Sequence, residues 1–330
     1  MMTPARPWAA LALATGAVLM LAGCSTAADA SGSSSASAAI TLDNCGSQVT
    51  LDGPAKRIVL VNNDALADIE ALDAIDRVVA VTSTPQEGLY DDTTYTALAN
   101  LDVLSTEKNA TGGSVVSQEA IIGADPDLVI APENAVDRDA LAAAGIALYT
   151  PTAYCSDPPP ELLETATFDR VWNEITTCGE LLGEQDQAAD VIAGAKADLA
   201  SVPSTSVGTA AALYVSSGGT VLSPYGGPSM VTPVFAAAGL ENVYADQDER
   251  VFDVNIEDVI SRDPETIVLL SSAADPNETK DAFLSSPGVD SLSAVKNDRV
   301  IVLAFPYTDP PSILSTRGPA VLADALADLS

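Results

Sequence analysis

One short pattern occurs twice in this chain, once in each half. Residues 119–131 read "EAIIGADPDLVIA" and residues 257–269 read "EDVISRDPETIVL". Each copy has a glutamate, an apolar helical segment, an Asp-Pro pair and an apolar strand. The two glutamates, Glu119 and Glu257, are 138 positions apart, and so are the two Asp-Pro pairs. The spacing between the two copies is far longer than the repeat length of a solenoid, and the pattern recurs only once. The repeat therefore predicts two similar α/β lobes that share a helix–Asp-Pro–strand step.

Short apolar strands and helices alternate on both sides of the repeat. The predicted strands lie at 57–61, 77–81, 127–131 and 146–150 in the first half, and at 209–216, 266–271 and 299–305 in the second. Such alternation is typical of a parallel sheet covered by helices on both faces. The expected fold class is α/β, with two similar three-layer lobes and mainly parallel sheets.

A continuous helical pattern separates the two alternating regions. It runs from Thr167 to Ala200 and is broken only at Gly183. We expect an N-terminal lobe at 40–166, a helical connector at 167–202 and a C-terminal lobe at 203–330.

The first 23 residues have the features of an export signal. A short segment with Arg6 precedes an apolar run that ends in "LAGC" at Cys24. The run is short for a membrane span and ends in small residues, as secretory signals do. "LAGC" resembles the bacterial lipobox, whose cysteine becomes the lipidated first residue, and the Ser/Ala/Gly-rich segment 24–39 suits a flexible tether. The expected location is the outer face of the cytoplasmic membrane; an ordinary signal peptide with an incidental cysteine is the alternative.

The composition excludes several classes of function. The chain has no histidine, so Ser-His-Asp and Cys-His catalysis are impossible, and we predict neither a catalytic site nor a metal site. A formal net charge of -32 makes nucleic acid an unfavourable partner. The alternative from another class is a lipid-anchored surface hydrolase, but no pair of carboxylates stands out for such chemistry.

Three cysteines remain after the lipobox, which allows one disulfide bond and one free thiol. Cys178 lies at helical spacing with apolar residues, so it is predicted to be a buried thiol. Cys45 and Cys155 both lie in polar, turn-rich segments. The favoured pair is Cys45–Cys155, and Cys155–Cys178 is the alternative.

Several segments together resemble a known family. They include "PAKRIVLVNNDALADIEALDAIDRVVAV", "SQEAIIGADPDLVIAP" and "NIEDVISRDPETIVL". Their order and spacing are similar to those of the substrate-binding lipoproteins of ABC importers, in the class that handles ferric siderophores, cobalamin and haem. The resemblance implies a bilobal binding protein with a single long interdomain helix, here Glu184 to Ala200. It implies an ABC permease and its ATPase as partners. It also implies that Glu119 and Glu257 dock onto the permease.

The resemblance leaves the ligand open within that class. Where many members have Thr-Glu early in the first helix, this chain has Leu66 and Ala67, followed by Asp68. An iron–siderophore complex is expected, with cobalamin, haem or a deazaflavin-type cofactor precursor as alternatives. A sensor that binds the ligand without transport is a further alternative. No prosthetic group is expected; the ligand itself would carry ferric iron, a corrin or a haem. A monomer is expected.

Loops at the predicted strand ends supply the candidate cleft residues. They are Asn62, Asn63, Tyr90, Glu133, Tyr214, Ser216, Tyr225, Met230, Tyr307 and Arg317. Arg250 and Arg138 are the other arginines expected near the cleft. Because so few cations are available, a neutral or cationic complex, or one bound mainly by aromatic rings, fits better than an anionic one.

Overall fold

The computed structural model describes residues 38–109, 113–203, 208–216 and 221–329. The predicted signal peptide 1–23, Cys24 and most of the predicted tether lie outside these residues. In the described part, no helix is both long enough and apolar enough to cross a membrane.

The first half begins with a hairpin that the sequence patterns had not indicated. Strands β1 (Ile40–Asn44) and β2 (Ser47–Leu51) pair antiparallel. Their turn is Cys45-Gly46, and both residues have positive φ, at 50° and 71°. A two-residue loop of this conformation matches the twist of the flanking strands. The hairpin therefore presents Cys45 at its tip.

A five-stranded parallel sheet follows, in the order β5-β4-β3-β6-β7. Its strands are β3 (Ile58–Leu60), β4 (Val78–Val81), β5 (Asp102–Val103), β6 (Leu128–Ile130) and β7 (Ala147–Tyr149). Its helices are α1 (Leu66–Ala71), α2 (Asp92–Leu98), α3 (Gln118–Gly123) and α4 (Arg138–Ala143). The central strands are fully buried, which explains their uninterrupted apolar sequence.

Two helices connect the halves, α5 (Asp169–Leu182) and α6 (Gln185–Ser201). Gly183 ends α5 in the left-handed conformation at φ 73°, as glycine at this position commonly does. The break at Gly183 is present, and a helix covers nearly all of the predicted span 184–200; that this helix alone joins the two lobes stays a prediction.

The second half contains another five-stranded sheet, with the parallel order β10-β8-β11-β12 and one antiparallel strand, β9, beside β8. Its strands are β8 (Gly208–Ser216), β9 (Val221–Pro224), β10 (Leu240–Asn242), β11 (Thr266–Ser271) and β12 (Val300–Ala304). Its helices are α7 (Val231–Ala237), α8 (Ile256–Arg262), α9 (Pro276–Leu284), α10 (Ser293–Lys296) and α11 (Ile313–Ala327).

Each sheet separates two apolar cores. In β8, Ala210 and Ala212 belong to one cluster of buried residues, whereas Ala211 and Leu213 belong to another. Successive strand residues point to opposite faces, so a strand with two cores must be apolar throughout. β3 divides its residues between two clusters in the same way. The three-layer α/β architecture predicted from the sequence is confirmed.

The sequence repeat corresponds to a repeated structure. α3 leads into β6 and α8 leads into β11, and both strands are interior strands of their sheets. The aspartates of the two Asp-Pro pairs, Asp125 and Asp263, adopt positive φ angles of 53° and 40°. At the other end, Ser117 and Asn255 each accept a hydrogen bond from the backbone N–H three residues on. The repeat thus encodes a capped short helix and its sharp exit into a buried strand.

The C-terminal helix α11 contributes to both halves. Ile313 and Leu314 lie in the core cluster that includes β3 and α1, whereas Leu322 and Leu326 lie in a cluster of the second sheet. α11 also packs against α5 and α6. The connector predicted from the sequence is therefore not the only helical contact between the two halves.

Candidate ligand cleft

The carboxyl ends of the strands mark the edge of each sheet where parallel α/β proteins bind ligands. Gln86, in the loop after β4, donates a hydrogen bond from Nε2 to the carbonyl oxygen of Ala273, in the loop after β11, over 3.2 Å. These loops follow strands of different sheets. The two strand-end edges therefore approach each other, and the space between them is the candidate cleft.

A polar cluster from both halves lies at this position. The Tyr154 hydroxyl donates to Asp64 Oδ1 over 3.4 Å, and Asn62 Nδ2 donates to the other Asp64 oxygen over 3.4 Å. The Arg250 guanidinium lies 5.6 Å from the centroid of the Tyr154 ring, within cation–π range. Arg250 also forms an ion pair with Asp309. Asn62, Asp64 and Tyr154 from the first half thus meet Arg250 and Asp309 from the second.

Burial changes the acidity of this cluster. Desolvation raises the pKa of Asp64 to about 6, although hydrogen bonds from Asn62 and Tyr154 oppose the shift. Desolvation also raises the pKa of the fully buried Asp309, with Arg250 acting against it. Asp309 Oδ1 has no hydrogen-bond partner among the residues the structure describes. Because buried polar atoms are nearly always paired, this oxygen is available to accept a hydrogen bond from a ligand or water.

A cavity of about 520 Å³ adjoins the cluster. We call it the interlobe cavity, because its walls come from both halves. The first half contributes Thr152, Ala153, Cys155, Ser156, Pro158, Leu162, Leu163 and the α5 residue Arg170; the second contributes Pro228, Asp248, Glu249, Arg250, Val251 and Pro311. Its volume lies within the range of small-molecule sites.

The first-half wall of the interlobe cavity is held in place at several points. A disulfide bond joins Cys155 to Cys45 at the tip of the β1–β2 hairpin. The buried carboxylate of Glu174 accepts hydrogen bonds from Thr152 and from the Tyr149 hydroxyl. These contacts fix the loop from both sides, so the wall is preorganised.

The disulfide outcome agrees with the favoured prediction. Cys45 and Cys155 are bonded across 110 positions, and Cys178 is a buried free cysteine. The alternative pair Cys155–Cys178 is not formed.

A second cavity, of about 400 Å³, lies against α5 and α6. Its lining is mostly short aliphatic side chains, with Lys196 at one side. Lys196 Nζ lies 5.1 Å from the Trp172 ring centroid and so already has a cation–π partner. The residues that line it in the described part of the chain all belong to these two helices, and we assign it no function.

The side chains of the predicted cleft residues in the first half mostly bond to, or pack against, other residues of the same half. Asn62 accepts a hydrogen bond from the Ser114 backbone, and its φ of 65° places it in the left-handed region that asparagine tolerates. Glu133 accepts from the backbone of Ser156, beside the interlobe cavity. Tyr90 packs edge-on against Tyr95. Asn63 has a buried side-chain oxygen without a partner among the described residues.

The predicted cleft residues of the second half are less accessible than the sequence suggested. Tyr214 and Tyr225 pack around Phe305, and Tyr225 is only 4% exposed. Met230 is 1% exposed and belongs to a core cluster, so we leave it out of the proposed cleft. The remaining predicted residues are the partly buried Tyr307, the exposed Arg317 on α11 and Ser216 at the end of β8, whose side chain is not described.

None of the ten predicted cleft residues lines the interlobe cavity. Asn62 alone is directly bonded to the polar cluster, through Asp64. Arg250 was expected near the cleft and lies in the cluster, whereas Arg138 instead donates to the carbonyl of Leu148 in β7. Sequence reasoning missed Asp64, Tyr154 and Asp309. Their only sequence signal is that each follows a predicted strand by a few residues.

Glu119 and Glu257 are both exposed, in the first turns of α3 and α8. A helix that connects parallel strands runs antiparallel to them, so its N-terminus lies at the carboxyl edge of the sheet. Each glutamate is therefore at the edge that carries the cleft loops. A first-turn carboxylate is also favoured there by the helix dipole.

The described residues contain no group of three or more histidine, cysteine, aspartate or glutamate side chains placed to hold a metal ion. The site offers carboxylates, hydroxyls, an amide, one paired guanidinium and aromatic rings. Such a set suits reversible binding of a preformed complex.

The fold and the cleft between two strand-end edges define a bilobal binding protein. Residues 58–307 match the model of the family described as periplasmic binding protein. The chain belongs to that family, whose members are solute-binding proteins that work outside the cytoplasmic membrane with ABC transporter permeases.

Similar proteins support the assignment. The chain is 38% identical to a solved structure described as an ABC-type Fe3+-hydroxamate transport system from Saccharomonospora viridis, with a TM-score of 0.81 over 87% of this chain and 98% of that one. It is 24% identical to a periplasmic haem-binding protein from Roseiflexus, with a TM-score of 0.62 over 83% of this chain and 98% of that one. A cobalamin-binding protein of Halobacterium salinarum is 25% identical over 294 residues, which cover 86% of this chain and 72% of that protein.

Proposed function

We propose that this chain is the lipid-anchored capture subunit of an ABC importer, and that it binds an iron–siderophore complex between its two halves. The observation that carries the proposal is the polar cluster in which Tyr154 and Asp64 of one half meet Arg250 and Asp309 of the other. A ligand that contacts both pairs would stabilise one arrangement of the two halves. Such stabilisation by ligand is how a binding protein signals its loaded state.

The similarity to the protein described as an Fe3+-hydroxamate transport system favours a hydroxamate siderophore. The haem- and cobalamin-binding relatives support those two ligands as alternatives. The charges of the site favour a complex that is neutral or cationic. Arg250 is paired with Asp309, and Arg170 is occupied by backbone carbonyls. An anionic complex would have to compete with Asp309 for Arg250 and with backbone carbonyls for Arg170.

Further parts of the proposal come from the sequence. They are lipidation at Cys24, lobes at 40–166 and 203–330 joined by the connector at 167–202, a monomeric protein, and docking of Glu119 and Glu257 onto the permease. The exposure of both glutamates at the cleft edge supports the docking role.

The test is to isolate the protein from an iron-limited culture of its own source and record its visible spectrum and its native mass. A hydroxamate complex gives a broad charge-transfer band and a mass increase that an iron chelator reverses. A Soret band would identify haem, and corrin bands would identify cobalamin. Protein that carries no ligand, and that also fails to bind ferric hydroxamates, haem or cobalamin in titrations, would contradict the proposed function.

A variant links the binding to the polar cluster. Tyr154→Phe removes the hydroxyl that donates to Asp64 but keeps the ring beside Arg250. Tyr95→Phe is a matched control, because its hydroxyl donates to the carbonyl oxygen of Gln86 within the first half. We expect Tyr154→Phe to weaken ligand affinity about threefold to tenfold, the usual worth of one hydrogen bond. Tyr95→Phe should affect affinity less.

A further inference from the structure

The interlobe cavity has well-defined walls but has no role in the function proposed above. One wall is fixed by the Cys45–Cys155 disulfide and by Glu174. The other wall carries Arg250, which connects the cavity to the polar cluster. A ligand bound at the cluster would therefore have this space directly beside it.

Both cations that line the cavity are already occupied. Arg170 donates to the carbonyl oxygens of Pro228, over 2.6 Å, Glu164, over 2.7 Å, and Leu162, over 3.1 Å. Arg250 forms its ion pair with Asp309. Arg250 is therefore offset by Asp309, whereas Arg170 keeps its positive charge but has its donors directed at backbone carbonyls.

The carboxylates of the lining, unlike Arg250, have no ion-pair partner in the described part of the chain. They are Asp248 and Glu249, and both are exposed at the cavity. Arg250 is offset by Asp309, so Arg170 is the one remaining lining cation against the two carboxylates Asp248 and Glu249, and the balance of formal charge around the cavity is negative. The chain as a whole, at a formal charge of -32, adds to that negative balance.

Most of the remaining wall is apolar. Pro158, Leu162, Leu163, Pro228, Val251 and Pro311 line it, and Leu163 is 55% exposed, the largest exposure among the large apolar side chains of the described residues. An aliphatic chain placed against these side chains would remove apolar surface from water. Apolar walls and unpaired carboxylates together fit a molecule that is aliphatic along its length and positively charged at its end.

We propose that the interlobe cavity is a subsite for a cationic alkyl arm of the ligand, an ammonium group carried on a methylene chain. The subsite rests on the proposed function, because the chelate itself would bind at the polar cluster. The arm would lie against the prolines and leucines, with its ammonium near Asp248 and Glu249. Ligand discrimination would then depend on the periphery of the complex as well as on its metal centre.

The test compares two forms of one linear ferric trishydroxamate, with a free terminal ammonium or with that amine acetylated. Isothermal titration of the wild-type protein should show the ammonium form binding about threefold to fivefold more tightly at low ionic strength. Molar salt should shrink the difference, because salt screens exposed charges. Leu163→Arg places a cation in the cavity and should abolish the preference.

A matched control separates this local effect from the overall charge. Leu284→Arg makes the same change at another exposed leucine, on α9, which does not line the cavity. It should keep the preference, whereas Asp248→Asn with Glu249→Gln should lose it. Equal affinities in the wild type, or a preference that survives Leu163→Arg, would overturn the subsite and leave the proposed function standing. Failure of both forms to bind would contradict the hydroxamate function and the subsite together.

Discussion

Asp68 of α1 accepts a hydrogen bond from the backbone N–H of Ile313, the first residue of α11, over 2.8 Å and across 245 positions. The contact joins the first half of the chain to the helix that closes the second. It satisfies one of the N–H groups that a helix N-terminus leaves unpaired. Asp68 therefore caps α11 from outside that helix.

Stability should depend on pH through Asp68. Burial raises its pKa to about 8 from 3.8, with the Ile313 hydrogen bond opposing the shift and Glu174 adding to it. Between about pH 4 and pH 8 the folded protein keeps a proton that the unfolded chain releases. The free energy of unfolding should therefore fall as pH rises through this window, by about 1.4 kcal/mol per unit at most from this group.

Asp68→Asn should flatten that dependence, because asparagine can still accept the hydrogen bond but does not titrate. Urea unfolding at pH 5, 6, 7 and 8 measures the difference between variant and wild type. Asp76→Asn, at an exposed position, is the control and should follow the wild-type curve. Parallel curves for wild type and Asp68→Asn would contradict the assignment.

The disulfide should contribute strongly to stability. The bond closes a segment of 110 positions, and loss of a native disulfide costs about 2–5 kcal/mol. We expect Cys45→Ser with Cys155→Ser to lower the free energy of unfolding by that amount in urea titrations. A reducing agent should destabilise the wild type similarly and leave the double variant unchanged. A double variant as stable as the oxidised wild type would show that the bond is dispensable.

The regular parts of this fold were predictable because they depend on local patterns. Buried parallel strands are apolar throughout, and Asp125 and Asp263 mark helix exits that recur with the repeat. The pairing of Cys45 with Cys155 followed from the polarity of their segments. Each of these features is visible within a few residues of sequence.

The site was less predictable because its contacts are distant in sequence. Asp68 and Glu174 look like ordinary surface acids of amphipathic helices, and only partners far along the chain make them buried. Tyr225 and Met230 follow strand ends, as ligand contacts often do, yet tertiary packing buries both. The interlobe cavity is lined by a proline-rich segment with no hydrophobic period, so no pattern pointed to it.

Membrane attachment should depend on Cys24 alone. The prediction rests on "LAGC" and the small-residue segment that follows it, which lie outside the described residues. Cys24→Ala should move the protein from the membrane fraction to the medium, because no other lipid attachment site is proposed. Fractionation and immunoblotting measure the change, with Cys178→Ala as the control that stays membrane-bound. A Cys24→Ala protein that remains fully in the membrane fraction would rule out the lipid anchor.

Transport should require Glu119 and Glu257 together. Both are exposed in the first turn of a capped helix at the cleft edge, one in each half. Charge pairs at an interface contribute about 1.5–7 kcal/mol when they are close and desolvated, so Glu119→Arg with Glu257→Arg should abolish uptake and each single change should weaken it. Ligand affinity of the isolated protein should not change, since neither side chain lines the interlobe cavity or belongs to the polar cluster.

The control is Glu180→Arg with Glu241→Arg, the same charge change at two exposed glutamates on α5 and β10. Normal uptake by the Glu119 and Glu257 double variant, or equal loss in the control, would exclude these glutamates as the docking contacts, and the repeat would then serve the fold alone.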